Sequence, residues 1–312
     1  MTNQSTVTEF LLLGFSDTRK LQMLHFMVFL GIYLVAMVEN LLIIVVIAVS
    51  NHLHTPMYFF LINLSILDLS TISVTLPKSM ANFLLNTTAI SYSDCAAQVF
   101  FFHVFGAADL ALLTVMAYDR YIAICKPLYY KTIMKRTTCI HMAAGAWLSC
   151  VPYAALHTGN ILHLSFCKSN IINQFFCEVP QLLKLSCSDS YFSEAGVLAF
   201  SFLLVVICFA FISMSYIQIF TVVLRIPARE KQRKALSTCI PHLIVVSLFV
   251  STGSFAYLKP VSNSPSALDL TASLLYSVLP SVINPVIYTM RNNDIKAAMR
   301  KLIDDRLLCR NK

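Results

Sequence analysis

Long apolar runs separated by short polar segments dominate the chain. Ala195 to Leu224 is thirty residues without one Asp, Glu, Lys or Arg, and Thr137 to Cys167, Ala235 to Leu258 and Leu270 to Met290 are equally free of them. Three further runs carry a few charges: Leu24 to Val49 holds Glu39, Tyr58 to Leu76 holds Asp68, and Val99 to Ile124 holds Asp109 ahead of Asp119 and Arg120. A helix rising about 1.5 Å per residue needs roughly 20 apolar residues to cross a hydrocarbon core about 30 Å thick. The runs are too long, and too poor in two-residue alternation, for barrel strands of about 9 to 11 residues. The pattern predicts an all-α membrane protein, a bundle of seven transmembrane helices. Residues 1–23 form an outer N-terminal segment, 24–290 the bundle, and 291–312 a cytoplasmic helix and tail. In that tail Ile295, Met299, Leu302 and Ile303 recur at helical spacing beside Lys296, Arg300 and Lys301, as in a short amphipathic helix lying on a membrane.

Composition agrees. Of 312 residues, 57% are hydrophobic and 12% charged, against about 25% charged in a soluble domain. The 23 Lys and Arg are placed unevenly: 17 fall in the segments after spans three and five and in the tail from Arg291. Basic residues stay on the cytoplasmic side, so the chain is read as a multi-pass plasma-membrane protein with its N-terminus outside and C-terminus inside. The net charge of +8 then reflects topology and a surface for anionic lipid or an acidic partner, and nucleic acid is not implied. The sequons at Asn3 and Asn86 fall on the outer side and are candidates for glycosylation, whereas Asn63 is buried in span two.

Four of the ten cysteines lie outside, Cys95 at the outer end of span three and Cys167, Cys177 and Cys187 on the loop between spans four and five. An even count in an oxidising place suggests two bridges, for which three pairings are open. Charges inside the bundle are costly, about 2.5 to 3.5 kcal/mol each on the insertion scale, so they face protein or water. Asp68 and Asp109 are expected to converge with Asn40 and Asn284 into one polar patch, either a cation or proton site or a packing cluster. Asp119 and Arg120, adjacent at the inner end of span three, form a natural switch: Arg120 pairs with Asp119 in one state and turns to an inserted partner in another.

The longer strings carry a resemblance. LHTPMYFFL at 53–61, MAYDRYIAICKPLYY at 116–130, Ser215-Tyr216, KALSTC at 234–239 and PSVINPVIY at 280–288 together resemble the rhodopsin-like G-protein-coupled receptors and, within them, the vertebrate odorant receptors. The resemblance implies small volatile ligands, a stimulatory olfactory-type heterotrimeric G protein and cyclic AMP as output, with no cofactor or metal. It implies the pairings Cys95 with Cys177 and Cys167 with Cys187. It places activation residues at Asp119, Arg120, Tyr121, Tyr216, His242, Asn284, Pro285 and Tyr288. The chain departs from the family's usual pattern at Glu39, Asp109, Ile240-Pro241 and Val250-Ser251-Thr252.

A ligand pocket is expected in the outer half, under the bridged loop. Phe102, His103, Gly106, Ala107 and Leu110 share one face of span three by i, i+3, i+4 spacing. Span five offers Phe200, Ser201 and Leu204, span six Val250, Ser254 and Tyr257, and span seven Leu274 and Ser277. His103, Ser254 and Tyr257 are the candidate donors that orient the ligand. No acid stands near Phe102 to hold a cationic amine. An intramembrane enzyme would need a paired nucleophile and base or a metal cluster, and the eight His show no HExxH spacing. A transporter would show repeated halves with interrupted helices, and no repeat is visible by inspection.

Overall fold

The computed structural model describes residues 8–13, 18–166, 169–187, 191–258 and 267–310; within helices, the side chains at 191–195, 257, 258, 267–269, 291, 303 and 305–310 are outside that description. Six helices are long and apolar enough to cross a bilayer: α1 (Arg19–Val49), α2 (Pro56–Leu85), α3 (Tyr92–Cys125), α5 (Arg136–Leu162), α7 (Tyr191–Leu224) and α8 (Arg229–Leu258). The seventh span is a bent pair, α9 (Ala267–Ser277) and α10 (Leu279–Arg291), angled by 41°. Short helices α4 (Tyr130–Ile133) and α6 (Val179–Leu185) lie in the connections, and α11 (Asn293–Arg310) follows the last span.

The helix ends do not coincide with the ends of the apolar runs. Helix α3 begins seven residues before the apolar run, where the Ser91 hydroxyl accepts from the Asp94 amide at 3.0 Å. Helix α2 starts at Pro56, whose missing N–H costs nothing in a first turn. It ends at Asn86, left-handed with φ 55°, a conformation asparagine tolerates better than most residues. Helix α5 stops at Leu162, short of the expected Cys167. The break in span seven falls at Val278, just ahead of Pro280, while Pro285 sits inside α10. Proline at 280 cannot donate the bond that would continue α9.

Helix α3 occupies the centre and packs against α2, α5, α7 and α8. Its Leu112, Leu113, Met116 and Ala117 are buried with Leu64 and Leu67 of α2, Ile212, Tyr216 and Ile219 of α7, and Val245 and Val246 of α8. The spacing 212, 216, 219, 223 shows that the inner half of α7 commits one face to this core. Its outer half presents Phe202, Leu203, Ile207 and Phe209 outward. Apolar exposure of that extent fits lipid and would not persist in water.

The end of the bundle that the charge pattern reads as outer is closed by a small sheet that the apolar pattern does not announce. Strand β1 (Glu9–Leu12) runs antiparallel to β2 (Ala89–Ser91) and parallel to β3 (Ile171–Ile172), giving the order β2-β1-β3. Phe10 of β1 is fully buried, its ring 5.1 Å from Phe166 and 6.0 Å from Tyr92. The loop after β3 then dips into the bundle. The Gln98 side chain of α3 accepts from the Cys177 amide at 3.0 Å and donates to the Val74 carbonyl at 3.1 Å, and the Ser79 hydroxyl of α2 donates to the Phe175 carbonyl. Phe175 and Phe176 are thereby buried among Phe29, Phe83, Phe102 and Tyr276.

Candidate functional site

At the inner end, α2, α3, α8 and α10 surround a cavity of about 170 Å³. Its lining includes Asp119, Arg120, Pro241, His242 and Tyr288. Arg120 is paired with the buried Asp119 carboxylate, its Nε at 3.0 Å from Oδ2. The other carboxylate oxygen accepts from the Tyr130 hydroxyl of α4 at 2.8 Å. Burial, with the Asp119 carboxylate beside it, pushes the Tyr130 phenol pKa up, so it stays a donor. Asp119 is thus satisfied on both oxygens, and Arg120 is held against the wall of the cavity.

A second polar link ties three helices together. The Nε2 of His242 on α8 lies 3.0 Å from the Leu113 carbonyl of α3, and its Nδ1 lies 2.8 Å from the Tyr216 hydroxyl of α7. A carbonyl only accepts, so Nε2 carries the ring proton and Nδ1 accepts from the tyrosine. Tyr216 therefore points at His242 here and not at Arg120. Tyr121, half-buried, stands one residue past the pair, with the Lys126 ammonium 5.8 Å from its ring centroid. On the opposite wall the Tyr58 hydroxyl accepts from Asn292 Nδ2 at 3.1 Å and lies 3.2 Å from the Asp294 carboxylate, while Asn292 Oδ1 caps α11 through the amides of Asp294 and Ile295.

The polar patch forms as the buried charges require, but in two parts. Asn284 Nδ2 donates to both Asp68 oxygens at 3.2 and 3.3 Å. Asn40 Nδ2 donates to the carbonyls of Ala36 and Ser281, both at 2.9 Å. Asp109 is buried and its Oδ1 has no hydrogen-bond partner among the described residues; the same holds for Oδ1 of Asn40 and Asn284 and for the hydroxyl of Tyr288. Buried oxygens of this kind are commonly satisfied by water or a cation.

In the outer half the expected lining separates. Phe102 and Leu274 pack with Phe176 and Tyr276 against the inserted loop, and Ser277 is buried, donating to the Ser273 carbonyl at 2.6 Å. His103 instead stacks on His157 of α5 at 4.7 Å. Ser201 points to the same place, 2.7 Å from His157, while Phe200 and Leu204 on either side of it are 44% and 36% exposed. A β-carbon built on Gly106 would meet nothing within 4 Å; Ala107 and Val250 adjoin the central core, and Leu110 is buried. Ser254 is exposed on α8, and the Tyr257 side chain is outside the described residues. His157 and Tyr153 of α5 were not foreseen, because nothing in a charge-free run marks which of its polar groups face inward.

Cys95 and Cys177 are bonded, their Cα atoms 5.4 Å apart, joining the outer end of α3 to the loop. Cys187 is also disulfide-bonded, and Cys167, the partner the resemblance implies, lies outside the described residues, as does Asn3. Asn86 is exposed.

A seven-span bundle with a loop bridged onto its third helix, and an acid-arginine pair at that helix's inner end beside a cavity, is a membrane receptor of the rhodopsin-like G-protein-coupled class. Comparison with known proteins narrows the class. The family profile described as Olfactory receptor matches residues 29–306. The chain is 52% identical to human Olfactory receptor 14I1, over 97% of each chain. It is 48% identical to human Olfactory receptor 14A16, over 98% of this chain and 99% of that one, and 49% identical to human Olfactory receptor 14L1, over 96% and 92%. The chain belongs to the olfactory receptor family, whose members are signalling receptors and not enzymes.

Proposed function

We propose that this receptor binds small volatile lipophilic molecules in the outer half of its bundle and, through an outward movement of α8, admits an amphipathic helix of a stimulatory olfactory-type heterotrimeric G protein to the inner cavity, raising cyclic AMP. The observation that carries the reading is the Arg120 pair poised on the wall of that cavity, within a face rich in Lys and Arg. Its neighbour His242 ties α8 to α3 and α7, so movement of α8 must break that tie before Tyr216 and Tyr288 can approach Arg120. Pro285 would ease local bending of α10. Asp68, Asp109, Asn40 and Asn284 would hold water or a cation whose occupancy differs between the two states.

The N-terminus lies outside and the C-terminus inside, with the bridged loop on the oxidising face and the basic segments against anionic lipid. Asn3 and Asn86 are the glycan acceptors, and Cys167 pairs with Cys187. The amphipathic α11, with Ile295 and Ala298 buried, lies along the inner lipid surface.

A screen of volatile compounds with a cyclic AMP readout tests this directly. Arg120→Ala at equal surface level is expected to be silent to every compound that activates the unmodified receptor; a retained response would remove Arg120 from the mechanism. Resting activity should depend on Pro241, which lines the cavity and withholds an amide from the Ser237 carbonyl one turn back. Pro241→Ser restores that donor and stiffens α8. Ligand-free cyclic AMP is expected to drop by about fivefold, the worth of one hydrogen bond near 1 kcal/mol. Equal basal levels in the two forms would exclude the proline as a determinant.

A further inference from the structure

Two histidines from different helices stand face to face in the outer half of the bundle. The rings of His103 on α3 and His157 on α5 have centroids 4.7 Å apart and planes 26° from parallel. Tyr153 meets His157 edge-on at 4.8 Å, and Ser201 of α7 brings its hydroxyl to 2.7 Å from His157 Nε2. Three helices therefore contribute to one polar corner in otherwise apolar surroundings.

Counting protons shows what this corner offers. His103 Nδ1 lies 2.8 Å from the Val99 carbonyl. A carbonyl cannot donate, so the neutral ring carries its proton on Nδ1 and leaves Nε2 as a bare acceptor. Ser201 has one hydroxyl proton, directed to the Val197 carbonyl at 2.8 Å. Its oxygen must then accept from His157, which places that ring's proton on Nε2 and leaves Nδ1 bare. Neither His103 Nε2 nor His157 Nδ1 has a hydrogen-bond partner among the described residues. One turn along the same face of α3, a β-carbon built on Gly106 would meet nothing within 4 Å. The space beside Phe102, by contrast, is filled by Phe176 and Tyr276. Room for an added methyl group at Gly106 and two unused acceptors thus lie along one face of α3.

We propose that His103 and His157 form a subsite that selects ligands carrying an O–H donor, alcohols and phenols, over acceptor-only ethers, esters and ketones. The inference deepens the receptor reading above and rests on it. It reverses the polarity expected from sequence, in which His103 is a donor to ligand acceptors: the fold spends the imidazole proton on the backbone. An alcohol gives its proton to one of the bare nitrogens. An ether of the same skeleton leaves both dry, and a polar site left unpaired discriminates far more strongly than an apolar pocket does.

The test uses the full-length receptor in cells, with primary alcohols of six to ten carbons and alkylphenols set against their methyl ethers and the matching ketones. Half-maximal cyclic AMP concentrations are compared at equal surface level. The unmodified receptor is expected to respond to alcohols at concentrations about tenfold lower than to the ethers. His157→Phe keeps a stacking ring and removes both nitrogens, and should bring the two classes within about threefold. Ser201→Ala removes the acceptor that fixes the tautomer, letting Nδ1 of His157 carry the proton, and should raise ether responses while lowering those to alcohols. A purely structural role would depress both classes alike. Ethers or ketones equal to or better than alcohols on the unmodified receptor would overturn the subsite and leave the receptor reading standing. So would an unchanged alcohol-to-ether ratio in either variant that reaches the surface. If no volatile compound of any class signals from surface-expressed receptor, the receptor reading itself fails and takes the subsite with it.

Discussion

Cells expressing Cys177→Ser are expected to show almost no receptor at the surface while total protein is still made. The Cys95–Cys177 bond closes a sequence separation of 82 residues, and a loop of that length is worth about 4 to 5 kcal/mol of restriction on the unfolded chain. Folding free energies of whole domains run only about 5 to 15 kcal/mol. Loss of the bond also releases the neighbouring insert, because the Cys177 amide is held by Gln98 and the Phe175 carbonyl by Ser79. Phe175 and Phe176 would then lose their packing against residues of α1, α2, α3 and α9. Surface labelling of intact cells beside a blot of total protein measures the effect. Wild-type surface levels with an undiminished odorant response would show that the sheet and the aromatic insert hold the outer loop without the bridge.

The second large effect concerns His242. Replacing it with phenylalanine preserves ring volume but leaves the Tyr216 hydroxyl and the Leu113 carbonyl buried without the partner each has now. A buried group stranded in this way costs about 1 to 3 kcal/mol. The cost falls on the closed arrangement, in which α8 touches both neighbours, so the balance shifts toward the open one. Ligand-free cyclic AMP is expected to rise by about tenfold, since two states separated by a few kcal/mol are moved that far by about 1.4 kcal/mol. Tyr216→Phe should give a smaller rise, because the His242 bond to Leu113 survives. Unchanged basal signalling from His242→Phe at normal surface level would falsify the assignment of this histidine as the tie that keeps α8 closed.

The spans were legible in the residue pattern because a lipid environment makes a severe local demand. Every peptide group in the hydrocarbon must be paired within its own helix, so length without charge is nearly sufficient evidence. The convergence of Asp68 with Asn284 was legible for a related reason: isolated polar groups in apolar spans have few places to go. The Asp119–Arg120 pairing follows from adjacency. Signals of other kinds were weaker. Helix α5 ended five residues before its apolar run did, and span seven broke ahead of Pro280 while Pro285 stayed inside α10. Propensity alone does not rank two prolines five residues apart.

What the sequence determined by itself was therefore the number of crossings and the positions of the charged residues within and between them, both of them consequences of local solvation. Tertiary structure alone decided three things. It decided that Glu9–Leu12, within a segment with no apolar span, becomes the middle strand of the outer sheet. It decided that Phe175 and Phe176 plug the side of the bundle where Phe102 and Leu274 were expected to meet ligand. It decided that His103 turns to His157 with its proton already committed to Val99. Each depends on which groups from distant parts of the chain meet, and hydrogen-bond polarity at such a meeting point is fixed by the partners present there, which no local pattern encodes.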